Sequence, residues 1–357
     1  MNPNHYALVI GINDYPEAPS RYRLDGAVND AKAVTQWLCD PSGGGLDEKN
    51  CYTLFVDSSS RQQDDMDTDN DEIEDDVEPY PVRYHVDKEL KKIRTLLRKQ
   101  LKESNQPAER FYFYFSGHGE ALRMQNDNVL MCMANWSPDS PNANLSSRLI
   151  LKEFLERCLP CNEIVVWTDC CRSRTVDVRG GGLDIGCRNS WKEGHVPDLF
   201  WANATLHETA AHESLNSTGK SFGYFTKALI NGLQSGVQNT GITWDGLRDY
   251  LRLHVETLAQ KDGFPQRAQS NHTAGSNKKY FGKHAGTAKL VINLNGEGRN
   301  LRLLLNASIE KKSWSNASGK LTVEGLELGL YKLIDTDTNA SMLIDCSSPI
   351  EEEVHEF

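Results

Sequence analysis

The stretch RFYFYFSGHGE, from Arg110 to Glu120, decides the fold of this chain. Its first part alternates phenylalanine and tyrosine, residues that favour β-strands. Such a continuous apolar run is typical of a strand buried on both faces of a parallel sheet. His118 then stands between two glycines where the strand ends. Because glycine allows close backbone approach, the pattern predicts an imidazole presented on a tight turn.

Similar apolar runs recur along the chain and alternate with segments of helical periodicity. The runs lie at 5–14, 51–56, 163–171 and 198–205, and the helical segments at 24–40, 86–104 and 146–159. This alternation predicts an α/β fold with a mainly parallel central sheet covered by helices on both faces. Ligands bind beyond the carboxyl ends of the strands in such sheets. His118 and the pair Cys170–Cys171 both follow predicted strands, so we expect a functional site at that edge.

The pattern changes near residue 287, where short alternating segments are separated by glycine and asparagine. The chain is 357 residues long, which suits one large and one small domain. We therefore predict a body over 1–286 and a small all-β sandwich over 287–357. Within the body, 58–82 is an acidic insertion, and the polar, glycine-rich stretch 172–194 predicts a mobile loop.

Most of the net charge of −11 comes from one acidic run. Residues 64–78 hold ten acidic side chains and no basic one, so the remainder is near −11 + 10 = −1. The body therefore has no global field for nucleic acid, and the run is expected to be a solvated loop. Its alternating aspartates resemble a calcium-binding loop, but Asn70 occupies the position of the turn glycine and Asp76 that of the bidentate glutamate.

No leader or membrane segment is recognisable in the sequence, because the first apolar run is short and no later run approaches 18 residues. We therefore predict a cytoplasmic protein without membrane contact, and nine cysteines that are reduced. Cys158 and Cys161 form a CxxC pair, but no second pair completes a zinc site. His207 and His212 also lack a metal-binding motif, so no metal ligands are predicted.

The residues at the strand ends suit nucleophilic catalysis. A cysteine attacks as the thiolate, which a neighbouring imidazole helps to form. His118 precedes Cys171 by 53 positions, and the amides of Gly119 and Cys171 are candidates to stabilise an oxyanion. Solitary histidines are often ordinary surface or core residues, however, and buried cysteines are usually inert. On the pattern alone, both interpretations stay open.

Four motifs, YALVIGINDY, LDGAVNDAKAV, YFSGHGE and VVWTDCCRS, occur in the order and spacing of the caspase-like cysteine peptidases of clan CD, family C14. Over about residues 5–285 the chain resembles metacaspases and bacterial caspase-like proteases most. The resemblance implies a caspase-like α/β/α sandwich and a catalytic dyad of His118 and Cys171 that needs no cofactor. It assigns the nucleophile to Cys171 and a small-residue position to Cys170.

The resemblance to metacaspases also places Asp30, Ser116 and Asp169 around the pocket for the residue before the cleaved bond. Two carboxylates in one partly buried pocket repel each other unless a cation joins them. A substrate arginine or lysine supplies that charge, so we predict cleavage after Arg or Lys. The alternatives are an ordinary helix-surface aspartate at Asp30 and a strand-end cap at Asp169.

Some positions depart from the metacaspase pattern. Arg172, Ser173 and Arg174 follow the nucleophile in place of His-Ser-Gly, and Ala27 replaces a pocket cysteine. No acidic cluster of the calcium-dependent members is matched, so calcium activation is not expected. These departures leave open a catalytically inactive module that binds peptides or partners.

The resemblance implies limited proteolysis of protein substrates, in regulated cell death or in antiviral defence against phage. We call residues 172–194 the post-nucleophile loop. For an enzyme that cuts after basic residues, the arginines of this loop are possible self-cleavage sites; they are Arg172, Arg174, Arg179 and Arg188. The C-terminal domain is either a docking site for a regulatory partner or a structural cap.

Overall fold

The computed structural model describes twelve stretches of the chain. They are 4–55, 78–122, 128–174, 178–187, 190–215, 219–235, 241–275, 279–282, 287–305, 309–327, 329–346 and 352–356. Nearly all of the acidic run 64–78 lies outside them, as does Arg188. The solvated loop predicted for 64–78 therefore stays a prediction.

Strands make up most of the regular structure. They are, in chain order, β1 His5–Gly11, β2 Cys51–Leu54, β3 Ala108–Ser116, β4 Gly119–Ala121, β5 Leu130–Cys132, β6 Asn144–Ser146, β7 Cys161–Asp169, β8 Ser173–Arg174, β9 Asp198–Asn203, β10 Glu213–Leu215, β11 Ser221–Gly223, β12 Ile242–Thr243, β13 Gln269–His272, β14 Tyr280–Phe281, β15 Thr287–Leu305, β16 Ile309–Glu327, β17 Gly329–Asp335, β18 Ser341–Cys346 and β19 Glu352–Glu356.

Helices separate the long strands of the body. They are α1 Ala27–Cys39, α2 Arg83–Ser104, α3 in the consecutive segments Ser147–Leu149, Ile150–Leu155 and Glu156–Cys158, α4 Tyr224–Gln234 and α5 Trp244–Lys261. The middle segment of α3 has π-helical hydrogen bonding. Single 3₁₀ turns occur at Ser20–Tyr22 and Glu48–Asn50.

The central sheet has the strand order β13-β9-β7-β3-β1-β2. Its neighbours pair in parallel, except for β13, which is antiparallel at one edge. Both faces of β3 are buried, as its aromatic alternation predicts. Phe113 lies on the α2 side with Leu90 and Ile93, whereas Tyr112 packs edge-on against Trp37 of α1 at 6.4 Å between ring centroids. The predicted α/β class is confirmed.

A second, small sheet has the order β6-β5-β4-β8 and was not predicted from the sequence. Strands of two or three residues are too short to show a periodicity. Its β4 begins directly after His118, and its β8 begins shortly after Cys171. These two strands pair in parallel, with Glu120 opposite Ser173. The segments that follow the two predicted catalytic residues are therefore hydrogen-bonded to each other.

The post-nucleophile loop is hydrogen-bonded along β6. Ser146 N–H donates to the Gly181 carbonyl at 2.8 Å. Arg179 N–H donates to Asn142 Oδ1 at 2.8 Å, and Asn144 Nδ2 donates to the Arg179 carbonyl at 3.1 Å. The backbone N–H and carbonyl of Arg179 are thus both hydrogen-bonded to side-chain amides. Mobility of the loop as a whole remains a prediction.

The same loop is fixed to α2 and α3 further along. Asp87 accepts the Asp184 N–H at 3.0 Å, and Arg94 donates to the Gly186 carbonyl at 3.0 Å. Cys187 forms a disulfide with Cys158, with 5.7 Å between the Cα atoms. The expectation of nine reduced cysteines is therefore wrong for this pair. The sequence could not reveal it, because the partner of Cys158 is 29 positions away and not in the CxxC motif.

Spatial contacts divide the chain into two compact units. One comprises Met1–Ala228 and Arg248–Lys278, and the other Leu229–Leu247 and Lys279–Phe357. The predicted boundary at residue 287 marks where the alternating strands begin. The second unit also takes in an earlier segment, which composition does not reveal.

The C-terminal strands form one five-stranded sheet in which β16, β15, β17 and β18 are neighbours and β19 pairs with β15. All pairings are antiparallel except that of β19. A separate, mainly antiparallel β region is therefore confirmed, although the described residues form one hydrogen-bonded sheet and not the two of a sandwich. The reason is that β15 and β16 are each 19 residues long, so segments predicted as separate strands are continuous.

None of the helices in the described part of the chain combines the length and the apolar character needed to cross a membrane.

Candidate active site

The carboxyl ends of β3 and β7 bring the predicted site residues to one edge of the central sheet. Ser116 and Asp169 are register partners at these ends, and Gly117 N–H donates to the Asp169 carbonyl at 3.2 Å. A Cβ on Gly119 would lie 2.6 Å from Cys170 Sγ and would also meet the Cys171 carbonyl. Only glycine fits there, because the turn after His118 packs directly on the segment that carries the cysteines.

The His118 imidazole is enclosed by aromatic rings. The ring centroids lie 4.7 Å from Tyr15, 5.6 Å from Trp136 and 6.0 Å from Tyr22. Burial lowers the pKa of His118, and the hydrogen bond that its ring makes to the backbone carbonyl of Tyr22 partly opposes this shift. Nε2 lies 2.6 Å from the Tyr22 carbonyl, which can only accept. Nε2 therefore carries the proton, and Nδ1 is left as the basic nitrogen of a neutral ring.

The two adjacent cysteines have different environments. Cys170 is 3% exposed, and burial raises the pKa of its thiol well above the usual range. Cys171 is only half-buried. Its Sγ accepts the Ala211 N–H at 3.3 Å and lies 3.6 Å from the Ala211 carbonyl. An accessible sulfur with an N–H donor suits a thiolate, whereas a buried thiol stays protonated and inert.

Asp30, Ser116 and Asp169 are brought together in one buried cluster. Ser116 Oγ donates to Asp30 Oδ2 at 3.1 Å, and Gly223 N–H donates to Asp30 Oδ1 at 3.0 Å. Thr226 donates to Asp169 Oδ2 from N–H at 2.9 Å and from Oγ1 at 2.7 Å. A Cβ on Gly223 would approach Asp30 Oδ2 to 3.0 Å and would collide with Asp169. Asp30 is 1% exposed and is therefore not the helix-surface aspartate of the alternative interpretation, whereas the contacts of Asp169 with Thr226 are compatible with the strand-end cap.

The pKa values in this cluster shift as expected for carboxylates that lack a cation. Burial raises the pKa of Asp169 to about 6. Burial and then the neighbouring Asp169 raise the pKa of Asp30 well above its usual range. No lysine or arginine in the described stretches forms an ion pair with either group. Two buried carboxylates this close repel each other when both are ionised.

Glu213 is a third carboxylate beside the pair, and sequence reasoning missed it. Its Oε1 accepts the Gly26 N–H at 3.1 Å, and its Oε2 accepts Ser221 Oγ at 2.8 Å. Burial raises its pKa, and its charge in turn raises the pKa of Asp30 and of Asp169. Its position on the short strand β10, in a region without clear periodicity, gave no signal. The aromatic residues around His118 were likewise missed.

Three further residues that the sequence analysis considered have structural contacts. The Arg172 side chain is fully buried and donates to the Thr205 carbonyl at 3.2 Å, while its N–H donates to the Thr209 carbonyl at 2.9 Å. It is therefore not a self-cleavage site in the folded chain. His207 contacts the Leu122 carbonyl at 3.0 Å, and His212 stacks on a phenylalanine ring.

An imidazole and a half-exposed thiol on one rim of a parallel sheet are the arrangement of a cysteine hydrolase. Comparisons with known proteins agree. A family model described as the caspase domain, peptidase family C14, matches residues 4–277. The chain therefore belongs to the caspase family of cysteine peptidases, which confirms the resemblance at the family level.

Individual matches are more distant. The chain is 28% identical over 251 residues to a probable protease from a Desulfuromonadales bacterium, covering 69% of this chain and 28% of that protein. It thus spans 28% of the length of this curated relative. The crystal structure of caspase-1 from Spodoptera frugiperda matches with a TM-score of 0.43 and 12% identity, over 79% of this chain and 91% of that one. A structure described as a protease matches with a TM-score of 0.28 and 11% identity, over 96% and 67%.

Proposed function

We propose that this protein is a cysteine endopeptidase that cleaves protein substrates after arginine or lysine. The observation that carries the proposal is the buried pair Asp30 and Asp169, which lies on the same rim as His118 and Cys171. A guanidinium or ammonium group would offset the repulsion of these carboxylates, whereas an aspartate side chain would add to it. Ser116 and Glu213 support the same choice, one as a hydrogen-bond partner and the other as a further negative charge.

The dyad performs the chemistry in two steps. The Cys171 sulfur attacks the substrate carbonyl while Nδ1 of His118 takes the thiol proton. The amides of Gly119 and Cys171 stabilise the negative oxygen, and His118 then gives its proton to the leaving amine. Water hydrolyses the resulting thioester with His118 as the base. The Tyr22 carbonyl keeps the proton on Nε2 and so keeps Nδ1 basic. None of these steps needs a cofactor.

A panel of fluorogenic peptides with Arg, Lys or Asp before the cleaved bond tests the proposal, with and without calcium. We expect cleavage after Arg and Lys alone, independent of calcium, and none by C171A or H118A. D169N should lower kcat/KM for the Arg peptide by at least about 30-fold, as for other buried charge pairs that lose one partner. The exposed Glu103→Gln is the matched control. Cleavage after Asp would refute the assignment of the pocket.

One observation favours an inactive binding module as the second candidate. The Cys171 sulfur contacts the Ala211 backbone at 3.3 and 3.6 Å, so it is already engaged without substrate. An arginyl chloromethyl ketone distinguishes the two functions by mass spectrometry. Covalent labelling of Cys171 supports the peptidase. An unlabelled enzyme that still binds an Arg peptide by fluorescence anisotropy supports the module.

The cellular role that we propose is limited proteolysis in the cytoplasm, in regulated cell death or antiviral defence. The C-terminal sheet is proposed to dock a regulatory partner. If so, a chain ending at residue 286 should still cleave small peptides but no longer co-purify with that partner. Loss of peptide cleavage in a folded truncated chain would instead indicate a structural cap.

A further inference from the structure

Tyr15 lies next to the His118 turn although it is on neither catalytic strand. It follows β1 and is 4% exposed. Its hydroxyl accepts the backbone N–H of His118 at 2.7 Å, and its ring lies 4.7 Å from the imidazole centroid. One side chain therefore contacts both the backbone and the ring of the residue that we propose as the base.

The turn is built closely around this hydroxyl. A Cβ on Gly117 would lie 2.7 Å from the Tyr15 oxygen and 3.0 Å from the Phe115 ring. Glycine at 117 is therefore what allows the hydroxyl to reach the N–H of His118. A phenylalanine at 15 would fill the same space but would leave that N–H without this acceptor.

The hydroxyl stays neutral across the working range of such an enzyme. Burial raises the pKa of Tyr15 well above its usual range, and the nearby thiols of Cys132, Cys170 and Cys171 raise it further. A neutral hydroxyl can accept the His118 N–H and keep its own proton for a second hydrogen bond.

We propose that Tyr15 is a positioning residue that holds the backbone of His118 so that Nδ1 faces Cys171. His118 is then held by two independent hydrogen bonds. Its backbone N–H donates to the Tyr15 hydroxyl, and its ring Nε2 donates to the Tyr22 carbonyl at 2.6 Å. A small displacement of a catalytic group can cost about 100-fold in rate, so loss of one anchor should affect turnover more than substrate binding. This inference rests on the proposed dyad.

The main test is Tyr15→Phe, which removes the hydroxyl and keeps the ring. We expect kcat for the Arg peptide to fall about 10- to 100-fold, with KM changed less than about twofold, because the pocket for the basic side chain is untouched. The acid limb of the rate of Cys171 alkylation by iodoacetamide should move to higher pH, because a displaced imidazole stabilises the thiolate less. Rates are normalised to the thiol that can be titrated, so unfolded protein does not contribute.

Tyr6→Phe is the matched control. Tyr6 is also buried, and its hydroxyl donates to Gln100 Oε1 at 2.7 Å, but it lies outside the site. It should change neither kcat nor the alkylation profile. Gly117→Ala tests the same contact from the other side, and should lower kcat in the wild type more than in the Tyr15→Phe background. If Tyr15→Phe does not fold, Gly117→Ala is judged by itself. We then expect its kcat to fall and the acid limb of its alkylation profile to move to higher pH, whereas wild-type values of both would overturn the inference.

The outcomes separate this inference from the proposed function. If H118A keeps full activity, the dyad itself is wrong. If H118A is inactive while Tyr15→Phe matches wild type in kcat and in its alkylation profile, Tyr15 has no positioning role. A loss of kcat in Tyr15→Phe with an unchanged alkylation profile and an equal rise in KM would also overturn the inference, because it would indicate general damage to the pocket.

Discussion

Individual residues at the rim of the sheet combine two opposite electrostatic requirements. For the proposed base, His118, burial among aromatic rings favours the neutral imidazole, and the proposed substrate pocket keeps Asp30 and Asp169 close together. Both pKa shifts have the same main cause, which is desolvation. Desolvation disfavours the imidazolium of the empty site and the carboxylates of the empty pocket alike. A basic substrate, if bound there, would supply a positive charge beside the carboxylates and so would favour their ionised form.

Asp169 should destabilise the empty enzyme above pH 6. Its folded pKa is about 6 against a usual value of 3.8, so the folded state holds its proton longer than the unfolded state does. The cost is absent below pH 3.8, grows between these two values, and is complete above pH 6. Asp169→Asn removes the ionisable group and keeps an oxygen to accept from Thr226. We therefore expect it to raise Tm at pH 8 and to have a smaller effect at pH 5.

Thermal unfolding of both proteins from pH 5 to pH 8 measures this effect. Glu103→Gln serves as the reference, because it removes a carboxylate that is exposed and not buried. A Tm gain in Asp169→Asn that is the same at every pH would contradict the shifted ionisation. A gain at pH 8 together with reduced cleavage after Arg would show that the pocket trades stability for recognition.

At the scale of elements, long buried strands were readable from the sequence and short ones were not. The aromatic alternation of β3 and the β-branched run of β7 predicted both strands and placed His118 and Cys171 at their ends. Strands β10 and β11, which pair antiparallel, carry no such pattern, although β10 supplies Glu213 and Gly223 of β11 donates to Asp30. Contacts made by backbone carbonyls, such as that of Tyr22 with His118 Nε2, do not depend on the side chain, so the residue type does not predict them.

The disulfide between α3 and the post-nucleophile loop should add to stability. It closes a loop across 29 positions, for which chain-entropy arguments predict a contribution of about 3.6 kcal/mol. Cys187→Ser should therefore lower the free energy of unfolding by about that amount in non-reducing buffer. Urea titration checks this, with Cys346→Ser as a comparison for the loss of a buried cysteine outside the disulfide. Equal unfolding of wild type and Cys187→Ser without reductant would mean that the bond does not form in solution.

For the whole molecule, two units share an interleaved chain, and the described site residues all belong to one of them. The unit that carries the proposed dyad and the proposed pocket consists of Met1–Ala228 and Arg248–Lys278. The disulfide between Cys158 and Cys187 lies in the same unit. If the backbone is cleaved between these two cysteines, the two fragments stay covalently joined.

A scissile bond after Arg174 or Arg179 lies inside that covalent ring, and one after Arg188 lies just outside it. Nicking inside the ring should leave a single band on an electrophoresis gel run without reductant and two bands after reduction. Nicking outside it should give two bands in both lanes. A nicked molecule of the first kind would keep its nucleophile tethered to its carboxyl-terminal half until a thiol reductant releases it, so the redox state of its surroundings would decide when the halves can part.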